Sequence, residues 1–390
     1  MRIVELGTEC EIITKGTTPT TLGKTFTSSG IGFLRAQNVI NSQVLIDSEL
    51  LYIDNETHNN ELKRSQIKEG DILLTIAGTI GRTAIVPAVD MELNCNQAVA
   101  IIRLGNSKIN KEFLCHFIAS PNAQDQFFKG MVTATIANLS LAQVRKLQIP
   151  LPPIETQQKI AAILDAADTL RQKDKALVAK YDELTQALFL DMLGDPVSNP
   201  KGWEKVELKS LCSFKKKSIK PEDIVQGENY VALDSIEKVT GKITTLYNVD
   251  KGELKSNKFW FDNSYILYGK LRPYLNKVAL PYFEGVCSTD IIPIQPIYNK
   301  SNRTFITSIL RHNSFVAFAD ERCSGANLPR ISPTEVEKYS TINPPLNLQT
   351  QFAERVAIIE KQKAIAQASL EKSEELFKSL LQKAFKGELV

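Results

Sequence analysis

The sequence predicts an α+β fold built twice: two pseudo-repeated β-rich domains and two long antiparallel helices that form a coiled coil. Three observations lead there. First, QIPLPPIETQQKIAAIL at 148–164 is echoed by TINPPLNLQTQFAERVA at 341–357. At a fixed offset of 192, Ser140, Val144, Lys146, Pro152, Pro153, Gln157, Ala161, Ala176, Glu183, Leu184 and Leu188 fall on identical residues, with no gap. Second, no proline occurs from Ile154 to Asp195 or from Leu346 to Val390, and both stretches carry apolar residues in 3-4 alternation. Third, fainter matches lie upstream. VELGTECEI (4–12) pairs with VELKSLCSF (206–214), and GDILLTIAGTIGRTAIV (70–86) with SYILYGKLRPYLNKVAL (264–280). The offset shrinks from 202 to 194 to 192, so the second domain is about ten residues shorter while the helices stay matched. Loops can vary in this way without moving a scaffold.

The expected order is therefore domain 1 (1–153), helix 1 (154–195), domain 2 (196–342) and helix 2 (343–390). IANLS at 136–140 resembles GANLPRIS at 325–332, near the end of each domain. SLAQV and SPTEV then read as S-x-x-[QE] capping boxes, in which the serine oxygen takes a first-turn amide and Gln143 or Glu335 reaches back. Pro333 sits at the first helical position, where its missing N–H is harmless. A Pro-Pro break follows in each copy, then the long helix. On helix 1 the apolar series is Ile160, Ile163, Ala167, Leu170, Leu177, Tyr181, Leu184 and Leu188, interrupted at Asp174. On helix 2 it is Phe352, Val356, Ile359, Ala366, Leu370, Phe377 and Leu380, interrupted at Lys363 and Ser373. Stripes this narrow, flanked by charge, are seams for another helix, and two such helices most simply pack on each other.

Composition excludes several classes. Forty-three per cent hydrophobic and 23% charged residues describe an ordinary globular chain. No apolar run is long enough for a bilayer span and the first ten residues are no signal peptide, so a cytoplasmic protein is expected. The six cysteines form no CxxC pair and read as reduced core residues; the three histidines lack metal-ligand spacing. TTPTTLGKTF (17–26) contains Gly-Lys-Thr, but Thr18 stands where a P-loop needs its first glycine. NPPL (343–346) lacks the aromatic fourth residue of the Asn-Pro-Pro-aromatic motif, and helix-entry punctuation accounts for it. No glycine-rich S-adenosylmethionine loop and no nuclease carboxylate–lysine constellation is discernible, so no catalytic residue and no metal site is assigned.

The duplicated unit, IPLPPIETQQKIAAILDAAD opening one helix, LFLDMLGDP and AFKGELV closing the two, and YGKLRPYLNK inside a domain together resemble the specificity subunit of type I restriction–modification enzymes. The resemblance covers essentially the whole chain. It implies two target-recognition domains, each reading one half of an asymmetric bipartite site on double-stranded DNA. It implies helices that set the spacing and dock two methyltransferase subunits, with restriction subunits in the full complex. It places S-adenosylmethionine, ATP and Mg in those partners and leaves this chain non-catalytic and without a cofactor.

The charge distribution is uneven. Domain 1 holds 14 basic and 14 acidic residues and residues 201–342 hold 21 and 16, for a net +3 over the chain. That is too little to hold a duplex by phosphate neutralisation alone, so tight binding should need the partners. Candidate DNA contacts lie in polar loops: Arg35, Gln37 and Asn38; Thr79, Arg82 and Thr83; Asn96; the basic run Lys215, Lys216 and Lys217; and Lys270, Arg272, Tyr274 and Lys277. Arginine can fork onto guanine or clamp a phosphate, and Gln and Asn suit an adenine edge. Each polar loop could equally be a solvated hairpin. The competing class is an adaptor, with two interaction domains on a coiled coil and no nucleic acid. That reading explains the duplication and the seam but not the basic run.

Overall fold

The computed structural model describes residues 2–40, 42–46, 49–105, 107–129 and 138–389; Ile136 and Ala137 of the IANLS echo lie outside them. The chain divides into two compact units, Met1–Lys175 with Ala368–Val390, and Ala176–Gln367. Each unit therefore holds one β-rich domain and a portion of each long helix.

In the first unit an antiparallel sheet runs Cys10–Lys15, Val99–Leu104, Ile72–Thr75, Thr83–Ile85. A second sheet places Ile31–Leu34 between Leu51–Ile53 (antiparallel) and Leu93–Cys95 (parallel). Val99–Leu104 buries alternate residues on two cores. Ala100 and Ile102 pack with the helix Lys111–Ala119, whereas Val99 and Ile101 pack toward the second sheet. Arg2–Glu5 pairs antiparallel with Gln148–Leu151, which ties the start of the domain to the entry of the long helix.

The second unit repeats these pairings. Cys212–Ser213, Ile291–Pro296, Ile266–Gly269 and Val278–Ala279 form the first sheet. In the second, Gly285–Cys287 lies parallel to Glu228–Val231 and antiparallel to Lys258–Phe261. Lys205–Glu207 pairs with Ser340–Ile342 at the helix entry. Residues lost between the copies therefore come from connections, and the strand order is kept.

The capping sites are alike but not identical. Ser140 Oγ accepts the Gln143 N–H at 3.2 Å, and Gln143 Oε1 accepts the Ser140 N–H at 3.0 Å, a complete box. Ser332 Oγ accepts the Glu335 N–H at 3.2 Å, but the Glu335 carboxylate turns to Lys338 Nζ at 2.7 Å. A lysine one helical turn on offers the carboxylate a charged donor, so the reciprocal half of the expected box is not made.

The long helices run Ile154–Met192 and Leu346–Lys386, 39 and 41 residues, or roughly 60 Å each at 1.5 Å per residue. Matched glutamines anchor them. Gln157 Oε1 accepts the Asn110 N–H (2.9 Å), and its Nε2 donates to Lys108 O (3.0 Å) and Pro152 O (2.9 Å). Gln349 does the same with Asn302 N–H (3.3 Å), Lys300 O (3.2 Å) and Pro344 O (2.9 Å). Both are fully buried. Gln349→Leu should strand the Asn302 amide and two carbonyls, lowering stability by about 1–3 kcal/mol in urea unfolding.

The helices run antiparallel in both units. In the first, Ile160, Ala161, Leu164 and Ala167 share a core with Leu381 and Ala384, and the Arg171 guanidinium lies 4.5 Å over the Phe377 ring. Ser369 Oγ donates to Asp174 at 3.2 Å. In the second, Phe189 meets Phe352 edge-on at 5.7 Å, and Lys363 is paired with Asp182.

On the second helix, Phe352, Val356, Ala366 and Leu370 are buried, and Ile359, Phe377 and Leu380 half-buried, with Lys363 and Ser373 on the same face. On the first helix the outcome differs from the expected stripe. Ile160 and Ala167 are buried and Tyr181 and Leu188 half-buried, but Ile163, Leu170, Leu177 and Leu184 are 37%, 46%, 43% and 49% exposed. The inward series is Ile160, Leu164, Ala167, Arg171 and Asp174 in one unit, then Val178, Tyr181, Thr185, Leu188 and Met192 in the other. Two heptad series share the positions 160, 167, 174, 181 and 188, and apolar character favours the wrong companion. Two polar members of the inward series gain partners on the other helix, Arg171 with Phe377 and Asp174 with Ser369, whereas Thr185 Oγ1 donates to Tyr181 O on its own helix.

One buried ion pair stiffens the first domain. Arg103 Nε and Nη2 donate to Asp71 Oδ1 (2.7 Å) and Oδ2 (2.6 Å), and Asp71, 1% exposed, also accepts the Lys68 N–H at 2.7 Å. Asp71→Ala leaves a guanidinium desolvated without its counter-charge, so a loss of about 3–5 kcal/mol is expected in chemical denaturation.

Candidate nucleic-acid interface

Two loops of the second unit meet at a tip with several left-handed residues. The connection from Ile266–Gly269 to Val278–Ala279 makes one short 3-10 turn, Pro273–Leu275, with Arg272 (φ 52°) before it and Asn276 (φ 48°) after it, both left-handed. The Arg272 N–H donates to Pro329 O (2.8 Å) and the Lys270 N–H to Asp290 O (2.9 Å). Asn276 Nδ2 donates to Arg311 O (3.0 Å).

Against this turn lies a second loop in which Val239, also left-handed (φ 68°), shares its N–H between Leu275 O (3.2 Å) and Asn276 O (3.1 Å). Arg311 Nη2 ties the loops together by donating to Thr240 O and Val278 O, both at 2.7 Å. Gly241 lies so close that a Cβ there would stand 1.7 Å from Val278 O. A left-handed residue costs roughly 1–2 kcal/mol, and a β-branched one is a genuine outlier. Three of the six such non-glycine residues among the described ones meet here. Of the three, Arg272 and Val239 (64%) are exposed and Asn276 is half-buried; the neighbouring Tyr274 is 52% exposed.

A basic run lies on the same unit, against the strand Lys258–Phe261. Lys215, Lys216 and Lys217 are exposed, Lys216 Nζ lying 4.9 Å over the Phe259 ring and Lys217 Nζ 4.6 Å over Trp260. Partial desolvation, reinforced by Lys270, holds the Lys216 ammonium below the usual lysine range although its side chain reaches the surface, and burial does the same to Lys258 and Lys277. Cations in partly desolvated surroundings attract a phosphate more strongly than fully hydrated ones. Lys277 is committed elsewhere, its Nζ donating to Leu233 O at 2.9 Å. Lys258 is buried with its Nζ on Ser256.

In the first unit the matching hairpin loop is closed by Thr75, whose N–H donates to Arg82 O (2.9 Å) and whose Oγ1 accepts the Arg82 N–H (3.0 Å). Gly78 (φ 74°) and Gly81 (φ 91°) supply its left-handed positions. Thr79 is exposed, Arg82 half-buried and Thr83 buried in a strand at 7% exposure. Gln37 is exposed and Arg35 half-buried, but Asn38 is 4% exposed, its Oδ1 accepting the Arg35 N–H and its Nδ2 donating to Leu45 O. Asn96 closes a turn through Oδ1 and the Ala98 N–H at 3.1 Å. Asn38 and Asn96 therefore serve their own backbone, a role that asparagine's short amide suits as well as base reading. Val239 escaped sequence reasoning because a valine in a left-handed turn has no sequence signature.

The family model described as "Type I restriction modification DNA specificity domain" matches residues 2–179 and again 200–375. The chain belongs to that family. The type I specificity relatives include the Escherichia coli EcoDI specificity subunit, 30% identical over 199 residues, 49% of this chain and 43% of that protein. The E. coli EcoBI specificity subunit is 31% identical over 133 residues, 33% of this chain and 28% of that one. The chain thus spans less than half the length of these two relatives. In fold it is similar to the type I restriction–modification S subunit from M. genitalium, with a TM-score of 0.54 at 14% identity over 98% of this chain and 96% of that one. A chain from a structure concerned with assembly and conformational transition of the type I system gives 0.51 at 18% identity, covering 100% and 98%. Among the described residues no helix is long and apolar enough to cross a membrane, and no group of three or more His, Cys, Asp or Glu could hold a metal.

Proposed function

We propose that this specificity-domain protein is the DNA-reading subunit of a type I restriction–modification complex, each β-rich domain reading one half of an asymmetric bipartite site. The observation that carries the reading is duplication with divergence: the same strand pairing and the same glutamine anchors recur, while the loop tips differ in residue and length. Domains 1–153 and 196–342 are the readers, and the helical stretches 154–195 and 343–390 set their spacing. The Ile163, Leu170, Leu177 and Leu184 series, left open to water on the first helix, supports docking of two methyltransferase subunits. Restriction subunits complete the assembly in the cytoplasm. S-adenosylmethionine, ATP and Mg enter with those partners, and this chain contributes recognition rather than catalysis.

Mapping methylated bases by single-molecule sequencing, in a host expressing the system, tests the reading. Two unlike half-sites separated by a fixed gap are expected; a palindromic motif counts against two different readers. With a net charge of +3, the isolated chain should bind its site far more weakly than the chain joined to methyltransferase subunits. Equal affinities would remove the proposed division of phosphate contacts.

A further inference from the structure

We infer that the strained tip formed by Val239, Arg272 and Tyr274 is the base-reading element of the second domain, whereas Lys215 and Lys217 hold phosphate. The inference rests on the DNA-reading role proposed above and assigns its chemistry within one domain. Three features support it.

The first is rigidity. A phosphate contact tolerates a flexible lysine, since attraction to a charged backbone is weakly directional. A base edge demands donors placed to within a fraction of an ångström. Here the backbone N–H groups of Arg272 and Val239 are held by the carbonyls of Pro329, Leu275 and Asn276, Arg311 clamps the neighbouring Thr240 and Val278 carbonyls, and both residues sit in conformations that side chains rarely adopt. Strain that the surroundings enforce so firmly is typical of positions held for a function.

The second is exposure without structural purpose. Val239 at 64% and Tyr274 at 52% present apolar surface beside an exposed guanidinium. That set suits a groove: the arginine donates to a base edge, and the valine meets an apolar group such as the thymine methyl.

The third comes from the repeat. The strands Ile72–Thr75 and Ile266–Gly269 match at an offset of 194, which places Gly78 at the position of Arg272. Both residues are left-handed, at φ 74° and 52°, so this one position keeps its conformation in both copies, although the second left-handed residue is Gly81 in one loop and Asn276, one place further on, in the other. A Cβ at Gly78 would meet nothing within 4 Å. The position is therefore left-handed in both copies and open to solvent at Gly78 and Arg272, a property that suits a reader more than a core.

The test uses the full chain assembled with its methyltransferase subunits and two duplexes, one carrying the mapped motif and one with the second half-site scrambled. Arg272→Gly and Val239→Gly remove side chains at positions where glycine is at ease, so their unfolding midpoints should equal or exceed that of the unmodified chain. Each should reduce the ratio of affinities for the two duplexes by about fivefold or more. Lys215→Ala with Lys217→Ala should weaken both duplexes alike and leave the ratio intact. A ratio that survives Arg272→Gly and Val239→Gly, an equal loss on both duplexes, or a lowered midpoint overturns the inference. Failure of the unmodified complex to distinguish the duplexes overturns the DNA-reading role itself, a separate result.

Discussion

Four residues added to the first helix between Thr169 and Lys180, with four more in the facing stretch Ala366–Ser373, should lengthen the gap of the recognised site and leave its half-sites unchanged. The facing stretch follows from the contacts of Asp174 with Ser369 and Arg171 with Phe377. Four residues make slightly more than one helical turn, so the seam turns by only about 40° while each helix grows by about 6 Å. On duplex DNA, with about 3.4 Å per step, that corresponds to roughly two base pairs. One residue added to each helix would instead rotate the seam by about 100°, carry Asp182 away from Lys363 and break the pairing. Methylation mapping of the inserted variant gives the gap directly. An unchanged gap would mean that something other than helix length sets the spacing.

Loss of the partner subunits is the expected consequence of Leu170→Glu with Leu177→Glu. Both leucines are nearly half exposed, so the isolated chain should keep its unfolding midpoint. Fully burying one leucine side chain contributes about 1.5–3 kcal/mol, and a carboxylate brought into an apolar contact adds a desolvation penalty. Two such changes should weaken association with the methyltransferase subunit at least about a hundredfold, measured by calorimetry or sedimentation. Leu164→Glu provides the contrast: that residue is fully buried in the inward series, and its replacement should unfold the first unit. An unaltered dissociation constant for the double variant would place the docking surface elsewhere.

Much of the fold was legible because repetition is visible without any knowledge of packing. Matching Gln157 to Gln349 and Ser140 to Ser332 fixed the unit length, and the absence of proline fixed where long helices could form. The capping serines are legible because an N-cap depends on neighbours three residues away. The partner of Glu335 is not, since its choice of Lys338 over the Ser332 amide is a competition between two local partners. The candidate contacts were harder to read. Asn38 and Thr83 are base-reader candidates by residue type but are buried, and Asn96, half-buried, closes a turn with its Oδ1. A polar side chain carries the same letter whether it faces a groove or closes a turn.

The amino-acid sequence by itself determined the duplication, the strand-rich character of each half, the two long helices and the family. All of these follow from patterns within one stretch of chain or between two copies of it. Only the tertiary structure decided which face of the first helix turns inward, because Arg171 and Asp174 become acceptable there only opposite Phe377 and Ser369. It also decided that Val239 stands beside Arg272. Left-handed backbone at a valine is enforced by hydrogen bonds from loops distant in sequence, and no local preference of the chain announces it.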